Sequence, residues 1–215
     1  MDWLTFREPV SAWTHFSWMV LAIPGTWVLW RHSAGDRLKR VGMLVFGFSL
    51  AFCYAGSWLF HSVSARLSRP FATVDHIGIY LLIAGTVTPI ALVMLRGRWR
   101  ACLLVGIWAL ALAGIALRLC ADLPINVLTV IYLGMGWLAC SAYFELVRLL
   151  LASKVRLILL GGFFYSVGAL INGLHWPVLV PHVFGWHEIF HLFVMTGSLC
   201  HYCFMLRGVL PYQRY

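Results

Sequence analysis

His61, Asp75, His187 and His191 are the residues whose types and spacing can do chemistry. Residues four apart on a helix are neighbours on one face, so His187 and His191 can offer imidazole nitrogens to the same ion. A third imidazole from His61, at roughly 2.0–2.1 Å, with water in the fourth position, completes the open tetrahedral arrangement of a catalytic zinc site. Zinc held in this way lowers the pKa of its water to about 7, which makes hydroxide available at neutral pH. Asp75 is suited to accept the water's proton or to orient it. Ser57, one helical turn before His61, can hydrogen-bond the water or a developing oxyanion.

The same residues admit a second reading. The segment HEIFH at 187–191 matches the H-E-x-x-H pattern of metalloproteases, in which the glutamate is the general base. Glu188 would then replace Asp75 as the base, Asp75 would become the third ligand, and His61 would have no role. The first scheme places every member of the set and is preferred. His15, His76 and His201 also fall in apolar stretches, without supporting spacing, and read as packing residues or as neighbours of the ligands. His32, His175 and His182 fall in loops or at helix ends and read as solvated.

The elements that must position this set follow from composition. Of 215 residues, 62% are hydrophobic and only 11% charged, whereas about a quarter of a soluble domain is charged. A bilayer core about 30 Å thick needs about 20 apolar residues per spanning helix. The sequence supplies such runs at 11–30, 41–64, 73–95, 100–118, 125–147, 156–174 and 184–206. These runs are unbroken, where a membrane barrel would alternate with a period of two, so the expectation is an all-α bundle of seven transmembrane helices. It forms a single domain over 1–215, with short loops joining antiparallel neighbours. The first run lacks a small-residue cleavage site and reads as a retained helix. The six cysteines indicate neither a disulfide framework nor a thiolate metal site and read as small core residues.

The net charge of +9 does not point to nucleic acid, because the basic residues sit at helix ends, facing lipid headgroups. With seven spans the termini lie on opposite sides. Four basic residues (Arg7, Arg66, Arg69 and Arg118) then share the amino-terminal face, and the other twelve share the opposite face. The positive-inside rule places the carboxyl terminus in the cytoplasm and the amino terminus outside. In this topology His61 ends the second span, Asp75 begins the third, and His187 and His191 begin the seventh. All four reach the same side at the same depth. Ionisable groups inside a membrane are costly, so their convergence marks a functional site.

The sequence resembles the hemolysin III family, the bacterial branch of the progestin and adiponectin receptor superfamily. EPVSAWTH (8–15) resembles the family's amino-terminal motif and SWLFHS (57–62) its serine-x3-histidine motif. DHIGIYLLIAGTVTP (75–89) and HEIFHLFVMTGSLCHY (187–202) resemble its third- and seventh-helix motifs. The resemblance covers nearly the whole chain. It implies a seven-helix bundle in a bacterial cytoplasmic membrane, with zinc held by His61, His187 and His191 and with Asp75 and Ser57 close by. Adiponectin receptors and the more distant alkaline ceramidases extend the implication to hydrolysis of a lipid amide such as ceramide. Ser11 departs from the motif, which usually has asparagine there. The orientation read from charge is also the reverse of that in adiponectin receptors.

The combined expectation is a zinc-dependent intramembrane hydrolase of a lipid amide or ester, with substrate entering laterally from the membrane. A receptor or stress sensor with a structural, coordinatively closed zinc is the main alternative. A channel or transporter would need a polar path across the whole membrane. The polar groups instead gather on one side, and the chief exception, Glu145, reads as an interfacial partner of Arg148.

Overall fold

The computed structural model describes residues 6–64, 66–121, 123–181 and 183–213. His182 and Arg214, expected in a solvated loop and on the basic face, lie outside the described residues. The helices are α1 (Pro9–Arg31), α2 (Arg37–Ser62), α3 (Ser68–Met94), α4 (Gly97–Cys120), α5 (Ile125–Ala139), α6 (Tyr143–Leu149), α7 (Ala152–Leu174) and α8 (Trp186–Phe204). No strand occurs among the described residues; Val180 and Phe184 form an isolated β-bridge in the α7–α8 loop.

These helices overlie the seven apolar runs, with three differences. The fifth run is not continuous, because a 3-10 turn at Cys140–Ala142 separates α5 from α6. The last run continues past α8 as a π-helical turn, Met205–Val209. Among the described residues, six helical stretches are long and apolar enough to cross a membrane: α2, α3, α4, α5 through α6, α7, and α8 with its π turn. The 23-residue α1 is not among them, since its tryptophans and the polar residues Ser11, Thr14, His15 and Ser17 dilute its hydropathy.

The outer surface is what lipid requires. Phe48, Val105, Val130 and Phe144 are each 66–70% exposed, an arrangement that water would penalise and a bilayer does not. The protein is an integral, multi-pass membrane protein. The cysteines split along this surface: Cys53 is buried, while Cys102 and Cys120 are exposed rather than in the core. Cys200 and Cys203, three apart on α8, are free and half-buried.

The centre of the bundle is α3. In its most apolar window 72% of residues are buried, against 17% for α7. Its tightest neighbour is α2, and the approach depends on small residues, as expected where helices pack in lipid. A Cβ on Gly78 would lie 2.7 Å from the Cα of Cys53 on α2. Gly78→Ala therefore separates the two backbones and lowers stability by about 1–3 kcal/mol, as overpacking does. A thermal midpoint in detergent equal to wild type would show that the interface tolerates the methyl group.

Candidate metal centre

The functional side chains come from several helices and all arrive at one end of the bundle. His61 occupies the last turn of α2 and is fully buried. His187 and His191 stand one turn apart at the start of α8, their Nε2 atoms 3.0 Å from each other. With His61 they form a group whose ligand atoms all lie within 4.8 Å of one another, the spacing at which three imidazoles can hold a metal ion.

Behind the rings lies a layer of oxygen acceptors. Nδ1 of His61 is 2.5 Å from Glu8 Oε2, and Nδ1 of His187 is 3.4 Å from Asn172 Oδ1 on α7. Glu8 immediately precedes α1, and its backbone amide also donates to the carbonyl of His61 at 3.2 Å. The Nε of Arg7 donates to the other carboxylate oxygen of Glu8, at 3.0 Å, while the guanidinium lies 4.4 Å from the ring centre of Phe60. Burial alone would raise the Glu8 carboxyl. The hydrogen bond and charge of His61, with the charges of Arg7 and His187, outweigh it and hold the group at about 2.

Asp75 and Ser57, expected beside the metal, form a hydrogen-bonded pair on facing turns of α3 and α2. Gly56 allows this approach: a Cβ there would meet the α3 backbone at Val74 O, 3.2 Å away, and at Asp75 Cα, 3.3 Å away. Asp75 is not within the three-histidine group, yet it lines the same cavity as His187 and His191. His15, on α1, is buried with its ring centre 4.2 Å from that of His191, and neither ring nitrogen has a hydrogen-bond partner among the described residues. It is a neighbour of the ligands, while His76 and His201 lie elsewhere along the cavity. His76 accepts a hydrogen bond from Arg118 Nε at 3.0 Å, and His201 Nε2 is 3.4 Å from the carbonyl of Ile158. His32 and His175 are exposed at helix ends.

Glu188 faces a different task from the one the protease motif gives it. Its Oε2 accepts the backbone N–H of Gly185 at 2.9 Å, and its Oε1 accepts the hydroxyl of Ser11 at 3.2 Å. The side chain caps the amide of Gly185 at the amino-terminal end of α8 and ties that end to α1. Glu8 is the residue that sequence reasoning passed over. A carboxylate just ahead of the first helix looks like ordinary interfacial charge, and the only signal was its place in the EPVSAWTH block.

The cavity that meets the cluster has a volume of about 710 Å³, within the range of small-molecule sites. It runs along α8 from Trp186 to the π turn at Met205. At about 1.5 Å per helical residue, that is close to the full hydrocarbon thickness. Its far end is lined by Ile90, Leu103, Leu146 and Met205. Val130 and Trp137 on α5 line the cavity and are also exposed, so it reaches the outer surface of the bundle beside α5.

The chain is similar to known proteins over nearly its whole length. A family model described as "Haemolysin-III related" matches residues 4–202. The protein is 37% identical to Hemolysin-3 of Bacillus cereus over 209 residues, 95% of this chain and 93% of that protein. It is 35% identical to the Hemolysin-3 homolog of Bacillus subtilis (strain 168) over 199 residues, 90% of this chain and 91% of the relative. With a histidine cluster able to hold a metal at one end of a membrane-embedded helical bundle, and with matches spanning nearly its whole length, the chain belongs to the haemolysin-III family.

Proposed function

We propose that this protein is a seven-span, zinc-dependent hydrolase of a lipid amide or ester, with His61, His187 and His191 as the metal ligands. The observation that carries this reading is the junction of two features: three imidazoles close enough to share an ion, and a long apolar cavity lined at one end by two of them, His187 and His191. An acyl chain fits the apolar length of the cavity, with its polar linkage left beside the histidines. Three neutral imidazoles suit zinc, and they accept other divalent first-row metals as well. Bound there, the metal supplies carbonyl polarisation and a water that ionises near neutral pH.

The protein's own groups carry the remaining steps. Asp75, held by Ser57, takes the proton from the attacking water and passes it to the leaving nitrogen or oxygen. Ser57 also keeps that carboxylate in one orientation. The exposed margin of the cavity at Val130 and Trp137 gives a lateral route from the membrane. In this reading α1 is the seventh span, completing a single domain in the bacterial cytoplasmic membrane, with the amino terminus outside as the twelve-to-four distribution of basic residues favours.

A second reading, a sensor with a structural zinc, draws support from Glu8. Its Oε2 lies 3.9 Å from His187 Nε2 as well as against His61, near enough for a small shift to close the coordination sphere. The two readings separate in one assay. Zinc-loaded protein in liposomes is given ceramide and a panel of acyl esters, and released fatty acid is measured by mass spectrometry. Release that stops in His187→Ala supports the hydrolase; no release from any substrate by fully loaded protein leaves the sensor.

A further inference from the structure

The tautomer that His61 must adopt follows from its partner. An ionised carboxylate only accepts hydrogen bonds, so the Nδ1 facing Glu8 Oε2 at 2.5 Å carries the proton. The lone pair of His61 is thereby confined to Nε2, an atom that is buried and has no hydrogen-bond partner among the described residues. His187 repeats the pattern, with Nδ1 toward Asn172 Oδ1 and Nε2 toward His191 Nε2. Two rings from two helices thus share one arrangement: Nδ1 faces an oxygen, which leaves Nε2 as the nitrogen free to bind an ion.

We infer that Glu8 is a positioning residue for the metal. Its carboxylate fixes the tautomer and ring angle of His61, and does not itself serve as a ligand. The inference rests on the proposed metal-binding role of the three histidines and deepens it. The placement of Glu8 is over-determined: its amide is bonded to the His61 carbonyl, and Arg7 holds Oε1, leaving Oε2 for the imidazole. Glu8 also falls outside the group whose ligand atoms come within 4.8 Å of one another. A carboxylate behind a ligating histidine raises its basicity, and loss of such a partner typically costs about 10- to 100-fold in metal affinity. The amino-terminal segment thereby becomes part of the centre, since α1 begins at the residue that orients a ligand on α2.

The test is cobalt affinity, measured by competition with a chromophoric chelator in detergent, on apo wild type, Glu8→Gln and Glu8→Ala. Expected are a roughly 10- to 100-fold loss in Glu8→Ala and an intermediate value in Glu8→Gln, with the apo thermal midpoint of Glu8→Gln equal to that of wild type. The glutamine value is diagnostic because its amide oxygen still accepts the Nδ1 proton but carries no charge. Equal affinities in wild type and Glu8→Ala overturn the inference alone. So does a loss that both variants share in full together with a lowered apo midpoint, which marks general loosening of the bundle. Wild type that takes up no cobalt overturns the metal reading and this inference with it.

Discussion

If the protein is the proposed hydrolase, Asp75→Asn should cut turnover sharply and leave metal binding intact. The expected loss in kcat is about 10²- to 10⁴-fold, the usual contribution of a positioned proton acceptor. Asp75 lies outside the group of potential ligands, so its loss does not open the metal site, yet it lines the same cavity and is tethered by Ser57. Asparagine is nearly isosteric with aspartate and leaves the close backbone approach at Gly56 untouched, so only the basic oxygen is lost. Glu188→Gln is the matched control. Its amide oxygen still accepts from Gly185, so the cap survives, and turnover stays near wild type. Full activity in Asp75→Asn with loss in Glu188→Gln would move the proton acceptor to α8 and restore the protease motif to its literal meaning. Loss of metal in Asp75→Asn would make that carboxylate a ligand.

On the proposed metal-binding reading, His191→Ala should lose the metal and the stability that metal binding would add. A ligand that binds only the folded state, present at a hundredfold over its Kd, stabilises by about 2.7 kcal/mol. Wild type should show that gain on adding zinc, and His191→Ala should show none. His191 is buried against His187 and His15, so no surface group can swing in to replace it. His15→Ala distinguishes neighbour from ligand: it should retain the zinc-dependent gain, because His15 is not part of the three-histidine group. Thermal melts in detergent at matched zinc excess measure both. An undiminished gain in His191→Ala would move the binding site elsewhere.

The histidine cluster was legible because two independent regularities met. The four-residue spacing of His187 and His191 put both on one helix face, and alternation of apolar runs carried His61 to the same end of the bundle. Neither regularity reaches Glu8. It precedes the first apolar run, where charge is ordinary, and only the packing of α1 on α2 brings it to His61. Glu188 shows the opposite failure. A motif match placed it at the chemistry, but residue 188 is one position from His187, about 100° around the helix, and points to the cap of its own helix instead. The turn at Cys140–Ala142 was invisible because no proline or glycine marks those three positions and hydropathy runs through them unchanged. The cavity was also beyond sequence reading, since its walls come from turns of α3, α5, α7 and α8 that are far apart in the chain.

The central claim is that three histidines from two helices hold a metal at the mouth of an apolar cavity. Plasma mass spectrometry on detergent-purified wild type, prepared without chelator, tests it most directly. The account predicts about one zinc per chain, lost in His187→Ala. A wild-type protein that carries no metal, and takes up none when zinc is supplied, would contradict it and leave the three imidazoles as a buried polar network.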